Sequence, residues 1–180
     1  MIRENQSFRV LHISIVFVRI FLSIMVFNIW SLSEAAGLKI LNPVHGPAKI
    51  KGEDASYYTY KARFAAETGS SLIFKQDECL IFDKRGKKYS KCWIHIAAAS
   101  DDLSVTRRAP INMKKFAVKL EGGKSSDVVQ WNTSMVDGPN GALEFRIPKG
   151  GYVEINFLWQ VPWRFSPGRI KIADLVEVSF

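Results

Sequence analysis

From Tyr152 to Val161 apolar residues take every second place: Val153, Ile155, Phe157, Trp159 and Val161. Between them lie Tyr152, Glu154, Asn156, Leu158 and Gln160, mostly polar. Successive strand side chains point to opposite faces, so this pattern predicts one long strand with an apolar face and a wetter one. Gly150-Gly151 opens the strand and Pro162 closes it, and neither residue type suits a strand interior.

Most of the chain before and after this strand obeys the same period. Leu38–Leu41 and Ala48–Lys51 read as short edge-type pieces, split by Asn42-Pro43 and His45-Gly46-Pro47. Tyr58, Tyr60, Ala62 and Phe64 alternate with Thr59, Lys61 and Arg63, which predicts a strand. Leu72-Ile73-Phe74 is a brief apolar run, and Ser100–Pro110 reads as a loop with a short strand. Phe116, Val118 and Leu120 form an inward set, as do Val129, Trp131, Thr133 and Met135, then Leu143, Phe145 and Ile147. The last segment keeps parity through Ile170, Ile172, Val176, Val178 and Phe180, with Asp174 breaking it, so a bulge or bend is expected there. No sustained 3.6-residue period of helical length occurs after residue 36. About nine or ten strands separated by Gly, Pro, Asn and Asp turns predict an antiparallel β-sandwich.

Residues 1–35 follow a different rule. Arg3 and Arg9 precede an apolar run from Val10 to Trp30, interrupted by His12 and Arg19, and Ser31–Ala36 follows. A basic start, an apolar middle and small exit residues make a secretory signal, with cleavage expected after Ala35. The rival is a retained membrane anchor over residues 10–30, a run of spanning length. Arg19 weighs against it, because a charge near the bilayer centre costs about 2.5–3.5 kcal/mol on insertion scales. The chain therefore divides into a signal or anchor at 1–35 and a single β domain at 36–180, secreted or periplasmic if cleaved and membrane-anchored if not.

Composition adds little to this picture except charge. The 180 residues carry a net charge of +8, with Lys and Arg spread along the chain. The densest stretch is Lys84-Arg85-Gly86-Lys87-Lys88. A scattered basic surface is the expectation and nucleic acid is not the expected partner; anionic glycan or lipid headgroups suit an exported chain better.

The dense basic stretch sits at a hairpin candidate: Cys79–Phe82, the turn Asp83-Lys84-Arg85-Gly86, then Lys87–Ile96. Asp first and Gly fourth suit a type I turn followed by a left-handed glycine bulge. Two registers are open. A two-residue Arg85-Gly86 loop sets Cys79 opposite Cys92, and the glycine-bulge loop sets Cys79 opposite Lys91. An exported chain with two cysteines favours a Cys79–Cys92 disulfide, whereas the turn chemistry favours the register that does not pair them directly. The alternative is two reduced core cysteines.

Candidate chemistry is sparse. His45 and His95 lie fifty residues apart, and no His, Cys, Asp or Glu spacing matches a metal motif. Neither a Gly-x-Ser-x-Gly elbow nor a glycine-rich phosphate loop occurs, so no catalytic residue, metal or cofactor is assigned. Asp77-Glu78 and Asp101-Asp102 are adjacent pairs that strand alternation would point apart. Asn132-Thr133-Ser134 fits a glycosylation acceptor on the outward parity of its strand. The best binding candidate is the connection after Pro162, where Trp163, Arg164, Phe165 and Arg169 offer aromatic and cationic groups to a sugar face, a peptide or a membrane surface. Its rival reading is a loop that folds back to plug an end of the sandwich.

The string Phe82-Asp83-Lys84-Arg85-Gly86-Lys87-Lys88-Tyr89, then Ile147-Pro148-Lys149-Gly150-Gly151 and Val153–Pro162, resembles the telokin-like immunoglobulin-fold domains found outside the cytoplasm on bacterial surface proteins and lipoproteins. In these an Asp-x-x-Gly-Lys-x-Tyr hairpin precedes a glycine turn and a strand ending in Val-Pro. The likeness covers about thirty residues, and the lipoprotein cysteine is missing from the exit of the apolar segment. It implies an immunoglobulin-like sandwich and a cell-envelope setting, with no defined activity. The expected function is an exported, non-catalytic binding or structural module whose partner is an envelope protein or glycan. The alternatives are an envelope hydrolase acting on glycan or peptide, and a membrane-anchored subunit of an envelope complex.

Overall fold

A computed structural model describes residues 37–119 and 128–180. The expectations for the signal or anchor segment and for Leu120 fall outside these residues. Among the described residues the secondary structure is all strand, in antiparallel sheets packed together. The first strands are β1 (Leu38–Ile50), β2 (Ser56–Ala66), β3 (Ser70–Phe74), β4 (Cys79–Asp83), β5 (Lys88–Tyr89) and β6 (Cys92–Ala99). Next come β7 (Ser104–Arg108), β8 (Ile111–Lys119), β9 (Val128–Val136) and β10 (Ala142–Ile147). The chain finishes with β11 (Tyr152–Val161), β12 (Pro167–Ile172) and β13 (Val176–Ser179).

The expectation was an antiparallel β-sandwich; the sheets are antiparallel and packed together, but one of them is closed. The largest sheet, β1-β2-β11-β6-β9-β8, closes into a barrel through Lys49–Ile50 of β1 and Val118–Lys119 of β8. A sheet β3-β10-β7 and a sheet β13-β12-β4-β5 complete the fold. Every barrel strand contributes to one small core: Ile50, Tyr57, Trp93, Phe116, Val118, Trp131 and Leu158. This is the filled barrel interior. The opposite faces of β1, β2, β6 and β11 share the main core with the other two sheets, through Tyr60, Phe64, Ile94, Phe157 and Trp159 against Phe74, Ile81, Phe145 and Ile170. Strand β11 is thus sandwiched between two cores. Leu158, placed by parity on the wetter face, is fully buried because that face closes the barrel.

Locally, turns and long-range pairing refine the pattern. The two edge pieces before residue 51 are one strand, β1, with a bulge between Leu41 and Val44 where Asn42 takes a left-handed φ of 49°. Only Lys49 and Ile50 pair on its second side, so Pro43 and Pro47 interrupt no long ladder there. The bend expected at Asp174 is a full reversal: the final segment is the hairpin β12–β13, turning at Ala173 (φ 48°) with Asp174 at its exposed tip. The apolar run Leu72–Phe74 lies in β3, which pairs with β10 seventy residues on.

Candidate functional site

The β4–β5 hairpin forms in the glycine-bulge register, with Phe82 opposite Lys88 and Ile81 opposite Tyr89. The turn residues explain this choice. Gly86 adopts φ 80°, and its N–H donates to the Asp83 carbonyl at 2.9 Å. Oδ1 of Asp83 accepts the N–H groups of Arg85 and Lys87, both at 2.9 Å, and Oδ2 accepts the Tyr89 hydroxyl at 3.4 Å. These donors, the Lys87 N–H foremost, hold the exposed Asp83 carboxyl below its ordinary range. Asp83 therefore serves its own turn, while Lys84, Arg85, Lys87 and Lys88 stay exposed around it.

The same register decides the cysteine question. The ladder ends at Tyr89, and Ser90-Lys91 carries the chain across to the barrel, where Cys92 pairs with Trp159. Cys79 pairs with Ile172 in another sheet. The expected Cys79–Cys92 disulfide is not formed: both are free, buried thiols. Burial, with the neighbouring Cys79 thiol next in effect, pushes the Cys92 thiol well up. The pair meets across the core rather than across a hairpin, because the strand changes sheets between them.

The connection after β11 lies against this hairpin. The Lys84 N–H donates to the Ser166 carbonyl at 3.1 Å. Gly168 passes so close that a Cβ there would sit 2.5 Å from the Asp83 carbonyl oxygen and 2.8 Å from its carbon. The turn itself closes through the Phe165 N–H and the Pro162 carbonyl at 3.1 Å. The four residues singled out in this region divide between roles. Phe165 tucks in, edge-on to Tyr58 at 5.7 Å and to Tyr89 at 5.5 Å, and plugs the core as the rival reading expects. Trp163 is 83% exposed, the most exposed large apolar side chain among the described residues, and Arg164 beside it is exposed. Arg169 lies 4.3 Å over the Phe82 ring and ion-pairs with Glu177 at 3.2 Å.

Between hairpin and β12 runs an open groove of about 400 Å3, lined by Phe82, Asp83, Lys84, Gly168, Arg169 and Phe180 among others. Phe180 also meets His45 edge-on at 4.7 Å. The structure thus joins the aromatic connection to the basic hairpin in one tip. Lys84, Arg85, Phe82 and Phe180 belong to it and were missed from the sequence as site residues. The basic density of 84–88 was the available signal, but nothing along the chain ties it to a loop eighty residues later.

Elsewhere Glu53, Glu144 and Glu154 are engaged by cations. Glu144, with a 7% exposed side chain, accepts Arg146 Nε and Arg108 Nη2, both at 3.0 Å. Glu154 pairs with Lys61 and Arg63, and Glu53 with Lys114 and the Tyr57 hydroxyl. Arg146, Lys61 and Lys114 respectively are the main reason each carboxyl lies below its usual range. Burial lowers His45 and His95; His95 stacks on Trp131 at 4.7 Å, and its Nδ1 faces the Asn132 carbonyl at 3.1 Å. Asn132 itself is exposed, on the outward parity expected for it. Among the described residues no group of three or more His, Cys, Asp and Glu side chains converges. Comparison with known proteins finds no matching family model, curated protein or solved structure.

Proposed function

We propose that the chain is an exported, non-catalytic binding module of the cell envelope or exterior, and that its 83–88/162–169 tip recognises an anionic ligand. One observation carries the reading: a pre-formed tip in which Trp163, 83% exposed, is joined to a hairpin where Lys84, Arg85, Lys87 and Lys88 outnumber the single carboxylate, Asp83. Preorganisation lowers the ordering cost of binding, and a cluster of cations raises the local concentration of anions. The exported setting rests on the basic-then-apolar start of the chain, and an immunoglobulin-like kinship rests on the telokin-like resemblance of the hairpin and β11. A hydrolase reading draws less support. The shifted carboxylates are all lowered by cationic or N–H partners, whereas a general acid at neutral pH needs its carboxyl raised.

The test is titration of the full chain with heparin as a soluble polyanion, followed by calorimetry at low and moderate salt. Lys84→Glu/Arg85→Glu is expected to weaken binding at least tenfold, and Lys49→Glu/Lys115→Glu, on barrel strands, to change it little. Equal loss from both pairs would mean attraction by total charge alone and would remove the tip as the site.

A further inference from the structure

Resting on that reading of the tip, we propose that its ligand is the surface of an anionic lipid bilayer, with Trp163 seated among the headgroups and the hairpin cations against the lipid phosphates. The placement of Trp163 separates a bilayer from a soluble glycan. A sugar-binding indole normally forms one wall of a cleft, whereas Trp163 stands at the crest of a turn between exposed Pro162 and Arg164. No ring contact to it is found among the described aromatic pairs, although Phe165, two residues on, packs against both Tyr58 and Tyr89. The crest is therefore an indole held out on a fixed base. Indole rings prefer the membrane interface, where an apolar body and a polar N–H are both satisfied.

Charge complementarity supplies the second argument. Lys84, Arg85, Lys87, Lys88 and Arg164 are exposed, and none ion-pairs with a carboxylate among the described residues. Of the nearby carboxylates, Glu177 is occupied by Arg169, and Asp83 sets one negative charge against these five cations. A basic cluster beside an interfacial aromatic is the combination that anionic leaflets attract, each cation near the surface adding roughly fivefold in affinity. The backbone ties at Lys84–Ser166 and at Gly168 keep the two halves of the tip together, so both meet one surface at once.

The experiment uses the full chain with Ser166→Cys labelled by an environment-sensitive fluorophore; Cys79 and Cys92 are buried and escape the label. Vesicles of phosphatidylglycerol and phosphatidylcholine at 30:70 are compared with pure phosphatidylcholine, about these proportions being enough to set an anionic surface potential. The expected result is a blue shift on the anionic vesicles only. It should weaken by more than the roughly thirtyfold that losing two cations predicts in Lys84→Glu/Arg85→Glu, fall in Trp163→Ala, and diminish with salt. Attachment through the apolar N-terminal segment does not require anionic lipid, so a shift confined to the anionic vesicles reports the tip. An unshifted label with heparin binding intact overturns the lipid proposal and spares the binding reading. Loss of both responses overturns both. A shift that survives charge reversal and salt would overturn the electrostatic half, and the salt series gives that answer even if a variant fails to fold.

Discussion

The indole N–H of Trp159 donates to the carbonyl of Cys79 at 3.0 Å, joining a barrel strand to the neighbouring sheet across 80 residues of sequence. Both groups lie in the main core, so no water replaces the bond if it is removed. Trp159→Phe orphans that carbonyl from its indole donor and leaves a gap, and is expected to cost about 1–3 kcal/mol. Urea denaturation would measure it; a loss under about 0.5 kcal/mol, the scatter of inert surface changes, would show that the bond contributes nothing.

Strand β11 gives a second prediction through its double burial. Leu158→Ala should cost about 2–5 kcal/mol, as expected of a core leucine, because it fills the barrel interior with Trp93 and Phe116. Gln160→Ala, two residues on and on the same face but half-buried, should stay near about 0.5 kcal/mol. Equal, small effects would mean that the barrel is not closed over Leu158.

Two glycines of the tip should behave differently. At Gly168 an added methyl meets the Asp83 backbone, which has no flexible end to move aside, so Gly168→Ala should cost about 1–3 kcal/mol and loosen hairpin from loop. Gly86 has open space but a φ of 80°, and Gly86→Ala should cost only the left-handed penalty of about 1–2 kcal/mol. Thermal unfolding orders the two, and proteolysis within 83–88 should rise more for Gly168→Ala.

Acid should destabilise the fold in two stages. Burial lowers the pKa values of His45 and His95, so the unfolded chain binds more protons than the folded one as pH falls below about 6.5, and stability drops through that window. Glu53, Asp83, Glu144 and Glu154 are also lowered; their contribution is present above the unfolded carboxyl values of about 4 and is lost as pH falls toward the folded ones. Urea midpoints from pH 7.5 to 3 should show both stages, and His45→Gln/His95→Gln should flatten the upper one. A midpoint constant down to pH 5 in the unaltered chain contradicts the histidine stage.

The thiols should be silent until the fold opens. Cys79 and Cys92 are buried, and the Cys92 thiol is pushed up by that burial, so little thiolate exists at neutral pH. Ellman's reagent should find two thiols in denaturant and react orders of magnitude more slowly without it. Rapid native reaction would place the pair at the surface, and no thiol in denaturant would restore the disulfide.

Much of the tip's local design was legible. Asp83 and Gly86 specify their turn because one supplies a carboxylate for two N–H groups and the other tolerates a left-handed backbone. Their preference for the bulge register held over the pull of a possible disulfide. The exposure of Trp163 and the inward packing of Phe165 were both expected as alternatives for one loop, and the turn at Pro162 assigns one to each residue. The link between this loop and the hairpin was hidden, because it consists of a backbone hydrogen bond and a missing Cβ.

The sequence by itself determined the strands, since a period of two reports which side chains share a face, and it determined the tight turns, whose backbone demands are local. Tertiary structure alone decided what covers each face. Leu158 looks like an outlier on a wet face until closure of β8 onto β1 makes that face an interior. Cys79 and Cys92 look like a cross-strand pair until the chain changes sheets at Ser90-Lys91. Alternation is a property of one strand, whereas burial depends on partners that long-range pairing brings, and that pairing leaves no local signature.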